Sequence, residues 1–499
     1  MPSKNLGIKN YSVYIPTLRL DRKDILNAVG WIDPSQQAHR KGQRAVCDFD
    51  EDTITMAVEA ARLAVSTNTV KNISACILGS TTLPFADRLN ASIVTTALGL
   101  DDNTEAFDVT GSQRAGLSAM RLAANLAGQS VSAATDDSDV LCVAVDQRRG
   151  KPGSAIELVC GDGAAALVLG QEDVIARILA HKVSTIDFVD HFRRSDQRFD
   201  YLWEQRWIRE EGYFKLVEPV VHSVLNEAKI NADEISHFIL PCPIARVREK
   251  LAKRLGIKPE AIRDNFQKTF GETGAAHSLV MLCDTLDVAK PGDKILVAGF
   301  GQGCETFILE VTPLIKKRHA TRPVNLESEE NDHLIPYVKY LAINELMQTD
   351  FGPRSETDSK TAVSTAHRHS KQIGRLIAGE CSVCGTIQFP KSAICVNPNC
   401  NHEGPQSEHP LADEMAKIKS ITTDYLGFSR SPPNRYGMVE FTSGARMIVN
   451  FSSRGDLEPA VGTDVNMVYR IKDVDPLRNY QRYCWKALPV RTKNKGENS

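Results

Sequence analysis

Between Met1 and about Leu314, short aliphatic runs alternate with longer amphipathic segments, and this alternation confines that part of the chain to an α/β architecture. "SACILGS", "VLCVAVD", "AALVLG", "HFILP" and "KILVAGFG" have the length and composition of buried strands. "DEDTITMAVEAARLAVS" and "AAHSLVMLCDTLDVA" repeat their apolar residues with the helical period and are predicted helices. From Lys316 to about Asp332 the sequence is charged and aperiodic, which predicts a linker. Helical stretches follow, then a cysteine cluster. After it "IKSITTDYLGFS", "YGMVEFTSGARMIVNF" and "DVNMVYRIKDVD" are short strands with Gly and Pro turns, as in a small barrel or sandwich. The tail "RTKNKGENS" is expected to be disordered, and no solenoid-length repeat is present.

At 499 residues with 42% hydrophobic residues, the chain suits two to four domains. Sixty Lys and Arg against 62 Asp and Glu give a net charge of -2, which leaves no electrostatic footprint for nucleic acid or an anionic membrane. No apolar run approaches the roughly 20 residues needed to cross a bilayer, and the first residues lack the apolar core of a secretion signal. A cytoplasmic protein is expected.

Twelve cysteines are unevenly placed. Eight are scattered singles, including Cys160, Cys242 and Cys304, and are expected to be reduced, buried small hydrophobes. Cys381 and Cys384 form C-x2-C, and Cys395 and Cys400 form C-x4-C. Four thiolates on two tight turns suit a tetrahedral zinc with no open position, hence a structural one.

"GIKNYSVYIP", "DEDTITMAVEAARLAV" and "CGDGAAALVLG" resemble the thiolase superfamily, and within it the hydroxymethylglutaryl-CoA synthase branch. The resemblance implies a five-layer αβαβα domain of duplicated halves, 1–170 and 171–315. A linker with helices would occupy 316–372. "ECSVCG", "SPPNRYGMVEF" and "YCWKALP" resemble the zinc-ribbon and OB-fold companions of thiolase-like enzymes, which help to hold or channel CoA. That implies a zinc ribbon over 373–405, an OB-fold barrel over 406–490 and a tail over 491–499. "DFVDHFRRSDQRFDYLWEQRW" stands where synthases of this branch border the substrate tunnel.

The superfamily's chemistry rests on a cysteine activated at a helix N-terminus, aided by a histidine and a glutamate or asparagine. In "AFDVTGSQRAGLSAM" the resemblance puts Gln113 at the cysteine position, with Thr81 at the glutamate and Pro241 at the histidine. An amide cannot take up an acyl group. Ser112 is a nucleophile only with a neighbouring base, and Arg114 is a candidate CoA contact. In "FGETGAAHSL", Glu272 is either a general base or a carboxylate at a helix N-terminus, and His277 is either an acid or a packed residue. "GFGQGCETF" resembles the loop whose amides form an oxyanion hole, through Gly301 and Gly303. Cys304 borders it as a substrate contact or a structural thiol, and Cys242 is a lesser candidate of the same kind.

What survives without the cysteine is enolate stabilisation on a CoA thioester. The main expectation is retro-aldol cleavage of a β-hydroxyacyl-CoA to acetyl- or propionyl-CoA and a ketone or aldehyde, with Glu272 as base and Gln113 as carbonyl donor. The alternatives are a decarboxylating or condensing enzyme and a non-catalytic acyl-CoA scaffold. A homodimer is expected, with room for a further thiolase-like or hydratase subunit. Convergence of Glu272, Gln113 and the loop amides on one point would favour the lyase, and side chains filling that point would favour the scaffold.

Overall fold

Asp52 and Thr55 close the start of the first predicted helix. The Asp52 carboxylate accepts from Thr55 N at 2.9 Å, and Thr55 Oγ1 accepts from Asp52 N at 2.8 Å, satisfying two amides that a helix end leaves open. The computed structural model describes residues 5–65, 70–127, 138–319, 333–350 and 362–490, apart from 454, 456 and 476. The predicted tail lies outside the described residues, as does most of the predicted linker.

Nine strands form one sheet: β1 (Gly7–Tyr14), β2 (Ile73–Gly79), β3 (Glu105–Val109), β4 (Asp139–Asp146), β5 (Gly163–Gly170), β6 (Ala176–Thr185), β7 (His237–Ile239), β8 (Lys294–Phe300) and β9 (Gly303–Val311). Their order is β7-β8-β9-β6-β1-β5-β4-β2-β3. The two halves repeat one winding outward from β1 and β6, whose only rungs are Gly7 with Arg177 and Ile8 with Ala176. Pairing is parallel within β7–β8, β4–β2 and β2–β3 and antiparallel elsewhere.

Among the helices that cover the faces are α1 (Thr53–Ala64), α2 (Ala115–Ala127), α3 (Glu218–Ala228), α4 (Val247–Leu255) and α5 (His277–Val288). Strand residues alternate between faces, so each strand serves two cores. Ala75 and Ile77 of β2 pack with α2 and α5, whereas Cys76 and Leu78 pack with α1. In β8, Ile295 and Val297 face α2 and α5, while Leu296 and Ala298 face α3 and α4. The α2–α5 pair is thus a middle layer between the two halves of the sheet, giving the expected αβαβα order.

The segment after the predicted linker docks back on the first part of the chain. His333 and Leu334 pair with Leu18 and Arg19, and Tyr337 Oη donates to Glu157 Oε1 at 3.0 Å. Beyond it, β10 (Ile377–Glu380), β11 (Ile387–Gln388) and β12 (Ser407–Pro410) form a three-stranded sheet around the cysteine cluster. Then β13 (Ala416–Ile418), β14 (Thr422–Asp424), β15 (Asn434–Phe441), β16 (Arg446–Asn450), β17 (Asp464–Asp475) and β18 (Tyr480–Pro489) form a six-stranded sheet. Phe451, just past β16, bridges to Ala487 in β18, so the sheet curls until its ends meet. Its apolar face shares a core with α1, joining Ile418, Phe441 and Trp485 to Ile54 and Val58.

Candidate functional site

β3 leads into the turn 110–114, which α2 continues. Gly111 holds φ at +90°, a conformation that favours glycine. Gly116 opens α2 directly against the 274–276 turn, where an added Cβ would sit 2.2 Å from Ala275 O. This close approach brings residue 113 into the neighbourhood of residue 272.

Arg148, two residues past β4, lies between them and is almost fully buried. Its Nε donates to Asp200 Oδ2 at 2.8 Å, and its Nη1 lies 3.5 Å from Glu272 Oε2. Burial works against the guanidinium's charge, but the Asp200 and Glu272 carboxylates outweigh it and raise its pKa above the ordinary value. The Gln113 amide turns its oxygen toward this group, since guanidinium nitrogens only donate. Oε1 then accepts from Arg148 Nε at 3.1 Å, Arg148 Nη1 at 3.2 Å and His191 Nε2 at 3.1 Å. The other His191 nitrogen, Nδ1, meets Asp190 Oδ2 at 2.9 Å. One amide oxygen thus gathers three donors from two basic side chains, with Glu272 across the guanidinium.

About two-thirds of the chain matches known enzymes. Hydroxymethylglutaryl-CoA synthase of Aeropyrum pernix is 32% identical over 322 residues, covering 63% of this chain and 88% of that one. The enzyme of Methanothermobacter thermautotrophicus is 30% identical over 346 residues, covering 67% and 96%. The chain belongs to the hydroxymethylglutaryl-CoA synthase family. Residues 225–309 also match the model of the 3-oxoacyl-[acyl-carrier-protein] synthase III C-terminal family. A crystal structure of a hydroxymethylglutaryl-CoA synthase complexed with CoA aligns with a TM-score of 0.60 at 16% identity, over 72% of this chain and 95% of that one, which bears on the fold.

As in its family, the thiolase-like fold here brings sequence-distant turns together, yet it does not gather every predicted site residue. Gln113 and Glu272 meet through Arg148. Glu272 does not cap a helix: its Oε2 faces Arg148 and the Cys160 thiol, 3.9 Å away. Ser112 Oγ donates to Gly301 O at 3.0 Å, where no base adjoins it. Gly301 N is turned into its own loop, donating to Gly303 O at 3.1 Å, so that amide does not point at Gln113. Gly303 is required, since it holds φ at +109° and an added Cβ would lie 2.0 Å from Ser184 O, whereas at Gly301 a Cβ would meet the Ser112 hydroxyl at 2.8 Å. Arg114 is tied down by Gly301 O at 2.9 Å, Thr185 Oγ1 at 2.8 Å and the fully buried Glu305 at 3.3 Å. His277 is a packed residue: Nε2 meets Asn265 O at 2.9 Å, Nδ1 accepts from Thr273 N at 3.1 Å, and burial lowers its pKa. Cys304 is sealed in the core with Phe300 and Ile308, and burial pushes its thiol up.

Burial pushes Cys160 and Cys242 up to about 12, although Arg148 pulls Cys160 the other way, so neither is a thiolate at neutral pH. Thr81 is bound to the buried Asp146, through Thr81 N at 2.7 Å and Oγ1 at 2.9 Å. Pro241 O accepts from Tyr213 Oη at 3.2 Å. Sequence reasoning missed Arg148, Asp200, Asp190 and His191. The last three lie in the tunnel-border stretch, whose place was legible though its individual residues were not. Arg148 follows a strand end, where an arginine is ordinarily solvated, and nothing marked it.

The four clustered cysteines meet as expected. Their Sγ atoms all lie within 4.8 Å of one another, with 3.9 Å from Cys381 to Cys400 and 3.6 Å from Cys384 to Cys395. Tetrahedral zinc with bonds of about 2.3 Å sets its sulfurs roughly 3.8 Å apart, so the donor set fits that ion. No helix among the described residues is long and apolar enough to cross a membrane.

Proposed function

We propose that this chain makes a carbon–carbon bond on a CoA thioester by enolate chemistry, as a condensing enzyme that does not acylate itself. The observation that carries the reading is the meeting of Gln113, Arg148 and Glu272 in one buried place. Membership of a condensing family supports the direction, and the relative crystallised with CoA supports the substrate class. Gln113 stands in for the acyl-accepting cysteine and leaves no nucleophile there. In this reading Glu272 takes the α-proton of an acyl-CoA, and its electron pair moves to the thioester oxygen, toward the Arg148 guanidinium. The enolate carbon attacks the carbonyl of a second substrate, whose oxygen recovers the proton from Glu272. The retro-aldol cleavage is the same path reversed.

Acetyl-CoA or propionyl-CoA incubated in D2O tests the first step without knowledge of the second substrate. The expected result is deuterium at the α-carbon, slowed at least about 100-fold in Glu272→Gln. Loss of CO2 from malonyl-CoA without α-exchange would make the chain a decarboxylase. Thioester that binds and does neither would make it a scaffold.

The curled six-stranded sheet is proposed to be the OB-fold companion of this site, and the four cysteines to hold a structural zinc. Metal analysis is expected to find about one zinc per chain, lost in Cys381→Ser, with 377–410 becoming protease-sensitive after chelation. Zinc-free protein with an unchanged digestion pattern would sink this. A homodimer completes the proposal.

A further inference from the structure

The proposed reaction needs a group that shuttles a proton to the oxygen on which charge develops, and neither Thr81 nor Pro241 offers one. We propose that His191, oriented by Asp190, is that group, and that it works together with Arg148 at the point now marked by Gln113 Oε1. This rests on the enolate reading above and names a proton-transfer residue for it.

The ring is fixed on both sides. Nδ1 meets Asp190 Oδ2 at 2.9 Å, and Asp190 Oδ1 accepts from Gln302 Nε2 at 3.3 Å. The Asp190 carbonyl accepts from Trp203 N at 2.9 Å, and Phe192 and His191 pair with Tyr201 and Leu202. A carboxylate behind one nitrogen sets the ring's orientation and leaves Nε2 to face the Gln113 oxygen. Nε2 is 3.1 Å from Gln113 Oε1, an oxygen that also receives two Arg148 donors. Three donors exceed the two lone pairs of a neutral carbonyl and suit an oxygen gaining negative charge. The His191 side chain keeps 12% of its surface open.

The step balances as follows. The Cα–H bond breaks, its proton passes to Glu272, and its electron pair reaches the thioester oxygen, which takes the Nε2 proton of His191. When the new carbon–carbon bond forms, that O–H proton returns to His191. The product alkoxide takes the proton held by Glu272, and no other reactant is consumed.

The test pairs exchange with binding. His191→Asn keeps an amide near Asp190 and removes Nε2. It is expected to slow α-deuterium exchange on acetyl-CoA at least about 100-fold, with the Kd for acetyl-CoA held within about threefold. Asp190→Asn, at a positioning residue, is expected to slow exchange about tenfold or more with the same Kd. Exchange in His191→Asn within threefold of the unchanged protein, or a loss of binding equal to the loss of exchange, would overturn the proposal. An independent arm needs no turnover. In Gln113→Cys, iodoacetamide near neutral pH is expected to alkylate residue 113 at least about tenfold faster than in Gln113→Cys/His191→Asn, because a ring N–H donated to the sulfur favours thiolate. Equal rates reject the dyad. A rate contrast in a protein that exchanges no acyl-CoA rejects the enolate reading and leaves the dyad standing.

Discussion

Arg148→Met is expected to lower the unfolding free energy by about 3–5 kcal/mol and to abolish α-exchange on acyl-CoA. Methionine fills the space but leaves Glu272 and Asp200 buried with their main counter-charge gone, which costs more than the ion pairs themselves contribute. Asp200 retains Arg193 at 3.4 Å, whereas Glu272 retains only the Cys160 thiol among the contacts of its carboxylate described above. Gln113 Oε1 loses two of its three donors in the same substitution. Arg148→Lys keeps a charge but not the fork that serves three acceptors at once, so it should recover part of the stability and little of the activity. Urea titration of the three proteins measures this. An unchanged midpoint in Arg148→Met would mean that the buried charges are solvated, and the site as described would fail.

Arg470→Met is expected to cost a similar 3–5 kcal/mol, and to split one unfolding transition into two. The Arg470 guanidinium, 3% exposed, lies among carboxylates of the chain's first part: Glu51 at 3.0 Å, and Asp50 and Glu59 each at 3.9 Å. Lys486 joins Asp50 at 2.9 Å, Tyr483 Oη donates to Asp52 at 2.7 Å, and Tyr469 N donates to Glu59 at 2.9 Å. The curled sheet is therefore locked to the start of α1 by charge as well as by the shared apolar core. Without Arg470, three acidic residues crowd together under that sheet with only Lys486 and Arg62 nearby. Differential scanning calorimetry with limited proteolysis would show whether residues 377–490 come loose first; a single cooperative transition with an unshifted midpoint would contradict the lock.

The stretch "DEDTITMAVEAARLAV" illustrates how far reading the sequence could go. Its period gave the helix, because that depends on neighbours three or four residues away. Its acidic residues carried no local sign that a strand some 400 residues on would bury them. Glu272 and Gln113 were legible because each sits in a turn with a distinctive glycine pattern. His277 and Cys304 looked equally chemical, but both point into cores, and the direction of a side chain at an element's edge is settled by packing rather than by the sequence around it.

The alternation of strands and helices and the closure of four cysteines on one point followed from the sequence by itself, since periodicity, turn residues and ligand spacing are local quantities, whereas the duplication was implied by the family resemblance. Only the tertiary structure decided which side chains share the cleft. Arg148, His191 and Asp190 come from two loops that meet Gln113 because β4 and β6 end beside the start of α2, and Gly116 lets that helix press against the turn that carries Glu272. Convergence of that kind is a property of the assembled sheet and its covering helices. The tunnel-border stretch marked one of these loops as a whole, but burial is what makes the charges of both matter.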